Sequence, residues 1–169
     1  MATERLETSL DNLDRALSQL ERALAQPAPN DLEVDGTIQR FEFSVELFWK
    51  TLRRALLEER RVAESPRQAI AGAWRMSWLE DDEDLWTAML DDRNLTSHLY
   101  RESVAREVFG RIARYASAMR TAHGVLVARF CPASSVREKR VRYRPVRSRS
   151  RGRASRVADV RGRGRGRNP

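Results

Sequence analysis

Leu6, Leu10, Leu13, Leu17, Leu20 and Leu24 recur every three or four residues, a spacing that stacks them along one stripe of an α-helix. Pro27 and Pro29 end that run. The stripe is shorter than three heptads, which favours a bundle helix packed within its own domain or dimer over an extended coiled coil. A second, long amphipathic helix is predicted from about Asp35 to Arg60. Ile38, Phe41, Val45, Phe48, Leu52 and Leu56 face one way, and Arg40, Glu42, Lys50, Arg53 and Arg54 face the other. Ser65-Pro66 reads as an N-cap followed by proline in the first helical position, opening a shorter helix with Ile70, Trp74 and Trp78 on one side. The acidic run from Glu80 to Asp84 suits the positive end of a helix dipole and predicts a fourth helix, with Leu85 and Met89 inside and Arg93 near its end. Val104, Val108, Ile112, Tyr115 and Met119 predict a final long helix to about Arg129.

Nothing in the pattern alternates as a half-buried strand does. The expected fold is therefore all-α, an antiparallel up-and-down bundle of about five helices over residues 1–130. From Cys131 the period is lost and residues 131–169 become rich in Arg, Ser and Gly. Such a composition buries too little apolar area to fold alone, so this segment is expected to be a disordered tail.

Charge sharpens the division. The whole chain of 169 residues carries a formal +8, but residues 131–169 contain 13 arginines and one lysine against two acids, a net +12. The first 130 residues thus hold 18 basic and 22 acidic side chains, a net −4. Nonspecific affinity for nucleic acid is expected in the tail, and any function of the body needs other grounds. Cys131 is the single cysteine, which excludes an intrachain disulfide and fits a reducing cytoplasm. No stretch approaches the roughly 20 apolar residues that span a bilayer, and no basic-then-apolar leader opens the chain, so a soluble cytoplasmic protein is expected.

The stretch Arg93-Asn94-Leu95-Thr96-Ser97-His98-Leu99-Tyr100 carries the candidate chemistry. Arginine is always charged and holds a phosphate with two donors, and histidine exchanges protons near neutrality; together they suit phosphodiester cleavage. On one undistorted helix Arg93 and Tyr100 nearly superpose, whereas His98 points about 140° away from Arg93. A loosened helix, the reach of the arginine, or a second subunit would have to bring them together, and a dimer does so by duplicating a sparse set of groups. The plainer alternative has Arg93 paired with a carboxylate such as Asp92 or Glu83, His98 capping the helix and Tyr100 in the core. His123, among Ala and Gly in the last helix, reads as a surface or packing residue. No second His or Cys stands at metal-ligand spacing from His98, so no metal or other cofactor is expected, and no nucleotide-cradling glycine-rich loop suggests that this chain transfers nucleotides itself.

Three segments resemble one family: Leu47-Phe48-Trp49-Lys50, Ser65-Pro66-Arg67, and Asp92-Arg93-Asn94 leading to His98 and Tyr100. Over about residues 5–129 the chain resembles the HEPN domains, specifically the small nucleotidyltransferase substrate-binding proteins. The resemblance implies a homodimeric helical bundle whose two Arg/His motifs share a cleft. It also implies a metal-independent ribonuclease toxin of a toxin–antitoxin pair, with Arg93 and His98 catalytic and Asn94 and Tyr100 supporting. A partner minimal nucleotidyltransferase would be the antitoxin, transferring AMP to Tyr100. The same family resemblance admits a module without catalysis, which only binds the nucleotidyltransferase or its substrate. The basic tail departs from the family pattern, in which the chain ends soon after the last helix.

Overall fold

A computed structural model describes residues 3–80, 83–96 and 102–132. Within them are five helices and no strand: α1 (Glu4–Leu24), α2 (Asp31–Glu58), α3 (Pro66–Arg75), α4 (Glu83–Thr96) and α5 (Glu102–Phe130). The all-α expectation holds. Residues 133–169, and with them almost all of the basic tail, lie outside the described residues.

The leucine stripe of α1 is buried from Leu6 to Leu20, and Leu24 packs half-buried at its end. Full burial of one such side chain contributes about 1.5–3 kcal/mol. The stripe packs within its own bundle, against α2 and α5. Contacts between α1 and α2 fix an antiparallel pairing: Thr3 bonds Glu58, Ser9 bonds Thr51, and Gln19 bonds Arg40. The Thr51 hydroxyl donates to the Leu47 carbonyl at 2.8 Å, so Ser9 Oγ supplies the proton to Thr51 Oγ1 at 2.9 Å. Ser9 Oγ in turn accepts from Arg54 Nη1 at 2.6 Å. A buried hydroxyl pair is thereby fully satisfied, as burial requires.

α2 begins at Asp31, earlier than the hydrophobic period suggests. Asn30 accepts from the Glu33 amide at 3.0 Å while the Glu33 carboxylate accepts from the Asn30 amide at 2.8 Å, a reciprocal cap that carries the helix back one turn before its apolar face begins. α5 runs alongside α2 in the same direction. Arg106 pairs with Asp31, Phe41 stacks on Tyr115, and Arg129 pairs with Glu59. α5 is also fastened to α1 by Arg120, which bonds Asp14, Ser18 and Glu21 at 2.7–3.2 Å. His123 is half-buried and places Nε2 3.1 Å from the Leu10 carbonyl, the packing role expected of it.

Two reversals shape the middle of the chain. After α2, Arg60 has φ 57° and the Arg61 amide donates to the Leu56 carbonyl at 2.8 Å; after α3, Ser77 has φ 57° and the Trp78 amide donates to the Ala73 carbonyl at 3.1 Å. Both are left-handed helix terminations that glycine usually occupies. The second corrects the expected α3 face. Trp78 lies beyond the helix, turned back into the core by Ser77 and edge-on to Phe130, whereas Trp74 is exposed. Gly72 permits the approach of α3 to α2, because a Cβ there would stand 2.9 Å from Leu56 Cδ1.

Candidate functional site

Arg93 sits in the last turn of α4, and its position follows from how α4 is seated. Leu85, Trp86, Met89 and Leu90 are buried, and Trp86 stacks on Phe48 of α2 with ring centroids 5.4 Å apart. Asp92 also turns inward. It accepts from Arg111 Nε and Nη2, each at 2.7 Å, and from the Tyr115 hydroxyl at 2.7 Å. Burial raises the Asp92 pKa, but the Arg111 and Tyr115 hydrogen bonds and the Arg111 charge outweigh it, holding the carboxyl below its ordinary range. Burial and the adjacent Asp92 carboxylate push the Tyr115 hydroxyl up to about 12, so it remains a donor at neutral pH. Asp92 is thus bonded to α5 and is not the partner of Arg93.

Arg93 instead points toward α2. Its nearest carboxylate is Glu46, at 3.5 Å, and its Nη1 lies 3.3 Å from Asn94 Oδ1. Glu46 is a junction: the Lys50 ammonium is 2.8 Å away and the Trp49 indole donates to it at 2.9 Å. Burial works against its charge, yet the bonds from Lys50 and Trp49 and the charges of Lys50 and Arg93 leave its pKa below the usual value.

Arg93, Asn94, Glu46 and Trp49 line a pocket of about 300 Å³ together with Ser65, Pro66 and Arg67. Ser65 caps α3 by accepting from the Gln68 amide, and Arg67 is tied to α4 through Asp91 at 2.6 Å. The pocket therefore offers two guanidinium groups, an amide and an indole beside one carboxylate, a set suited to a phosphate-bearing or otherwise anionic group. The three segments that carried the family resemblance, around Trp49, Pro66 and Arg93, meet at this one place.

Of the four residues singled out in the sequence, Arg93 and Asn94 line the pocket together, whereas His98 and Tyr100 lie outside the described residues. Glu46 was not among them. Its only signal in the sequence is the helical i,i+4 spacing to Lys50, which many exposed pairs share. Among the described residues no group of three or more His, Cys, Asp or Glu is placed to hold a metal ion, and no helix is long and apolar enough to cross a membrane.

Residues 8–128 match the model of a family described as nucleotidyltransferase substrate binding protein like. The chain belongs to that family. This nucleotidyltransferase substrate-binding-like chain is also similar to a Thermus thermophilus protein of known crystal structure, at 39% identity and a TM-score of 0.65, covering 68% of this chain and 98% of the other. A Haemophilus influenzae protein, whose structure is described as revealing the fold of a substrate-binding domain of a nucleotidyltransferase, is 27% identical with a TM-score of 0.62, covering 69% of this chain and 98% of that one. No curated protein matches the chain.

Proposed function

We propose that this chain is a helical module that binds a nucleotidyltransferase and offers the Arg93 pocket to the phosphate-bearing groups such an enzyme handles. Family membership supports the partner. The observation that carries the site is the state of Arg93: positioned by a buried scaffold, half-exposed, and held by one carboxylate at 3.5 Å, so that an incoming anion displaces a weak pair. The chain itself is the substrate or holder of substrate, and the partner supplies the transfer chemistry. Calorimetric titration with the candidate nucleotidyltransferase, with and without ATP, tests this reading. Saturable binding by the wild type that Arg93→Ala weakens is the expected result. Equal binding by both proteins removes the pocket from the interface, and no binding by either rejects the module.

A second reading gives the same pocket a catalytic role; the resemblance of Arg93, Asn94 and His98 to the family motif supports it, together with the 3.3 Å contact of Arg93 Nη1 with Asn94 Oδ1. In a homodimer, His98 would take a proton from a ribose 2′-hydroxyl or return one to the leaving oxygen. Arg93 would stabilise the charge on the phosphate, and Asn94 would orient either group. AMP attached to Tyr100 would then add bulk and negative charge to the cleft and shut it, which is how a partner antitoxin would neutralise a toxin. Cleavage of total RNA in EDTA by the wild type, lost in His98→Ala and after treatment with partner and ATP, is the outcome this reading requires. An inactive wild-type dimer rejects it and leaves the binding module.

A further inference from the structure

A second concavity, larger than the Arg93 pocket, lies where the start of α1 meets the end of α2 and the reversal that follows. It has a volume of about 690 Å³, and five cations line it: Arg5, Lys50, Arg53, Arg54 and Arg61. Among the described residues Glu58 is the only carboxylate in the lining, and its Oε1 accepts the Thr3 hydroxyl proton at 2.6 Å. The body of the protein is net acidic, so this concentration is local and does not follow from overall composition.

The groove is built by the fold. Arg54 is aimed by the buried Ser9 hydroxyl, at 2.6 Å, and Arg61 is brought to the rim by the left-handed turn at Arg60. Arg5, Arg53 and Arg61 are exposed and enter no ion pair among the described residues. Outside the groove some arginines are matched to acids, Arg67 to Asp91, Arg120 to Asp14 and Glu21 and Arg129 to Glu59, while others, among them Arg15, Arg22 and Arg114, are exposed without an ion pair among the described residues but do not line this concavity. Unmatched guanidinium groups gathered in one groove, at a cost in mutual repulsion, are what recognition of a run of phosphates requires.

We propose that this groove binds the phosphate backbone of a single-stranded nucleic acid, reading its charge and spacing and not its bases. Its volume exceeds what one phosphate needs, and no aromatic side chain among the described residues lines it as a base-stacking platform, so contacts to the backbone dominate. The groove adjoins the Arg93 pocket through one turn of α2, in which Trp49 and Glu46 line the pocket and Lys50 lines the groove. The proposal does not rest on partner binding at Arg93.

The test uses the full chain, so that the basic tail contributes equally to every sample. Arg5→Gln/Arg53→Gln/Arg61→Gln is compared with Arg15→Gln/Arg22→Gln/Arg114→Gln, which removes the same charge from exposed arginines outside the groove. Both variants are checked by circular dichroism, and Arg5→Gln/Arg61→Gln replaces the triple if it unfolds. Binding of a labelled single-stranded RNA is followed against salt. The groove variant is expected to lose about tenfold or more in affinity and to lower the salt slope by about 2, as three lost contacts to a single strand predict. The remote variant is expected to stay near the wild type. Single-stranded DNA and inorganic polyphosphate are expected to compete at similar phosphate concentration, whereas ATP alone competes poorly. Equal behaviour of the two triples overturns the proposal, as does competition by RNA alone, which would mean that the sugar is read. Loss of nucleotidyltransferase binding in the groove variant with strand binding intact also overturns it, making the groove a protein interface. Arg93→Ala reports separately on the partner reading, so failure of one is distinguishable from failure of the other.

Discussion

Asp92 and Arg93 are neighbours in the chain and opposites in circumstance. The carboxylate of Asp92 is buried, receives three hydrogen bonds from two side chains of α5, and does not line the pocket. The guanidinium of Arg93, one residue on and about 100° around the helix, faces a pocket and holds a carboxylate at 3.5 Å and the neighbouring Asn94 amide oxygen at 3.3 Å. One residue fixes where α4 ends and the other uses the position so fixed. A binding arginine needs both an anchored backbone and donors that are not already spent, and two adjacent residues divide these requirements.

The contrast is broken most severely at the anchor. Asp92→Ala leaves the Arg111 and Tyr115 donors without their acceptor and is expected to cost about 3 kcal/mol in urea unfolding. Arg93→Ala is expected to change stability by less than about 0.5 kcal/mol, because it removes an exposed pair. The same variant should weaken binding of the nucleotidyltransferase about 10- to 100-fold by calorimetry, the range for a hydrogen bond to a charged group. If Arg93→Ala unfolds the protein as readily as Asp92→Ala, the division of roles is wrong.

Acid sharpens the comparison next. The folded protein holds Asp92 below its ordinary pKa, so its contribution is fully present above about pH 4 and is lost as pH falls through the lowered value. Urea midpoints measured from neutral pH downward should fall less steeply in Asp92→Asn than in the wild type. The smallest effect is expected at Glu46→Gln, which removes the carboxylate that pairs with Arg93 among the described residues. Nucleotidyltransferase affinity is expected to rise about two- to fivefold, the value of a partly exposed ion pair, with the melting temperature little changed.

The long helices were legible because period alone determines them: the stripes of α1, α2 and α5 are repeated often enough that no single residue decides. The ends were less so. The start of α2 depends on a side-chain exchange between Asn30 and Glu33, and the fate of Trp78 depends on one backbone angle at Ser77, a residue that carries no left-handed preference in a sequence. At the site, Arg93 and Asn94 stood out through residue type and spacing. Glu46 and the commitment of Asp92 to α5 did not, because both arise from contacts between residues 19 to 47 positions apart, which no local pattern records.

The clamp made by Arg120 also bears on the order in which the chain is made. Ninety-nine residues separate Arg120 from Glu21, so α1 exists for roughly 5–20 s of synthesis before the helix that covers one side of it is complete. Of the two helices that pack on α1, only α2 is made before α5, and the flank that waits for Arg120 carries the acids Asp14 and Glu21, whose charge suits it to water until the arginine arrives.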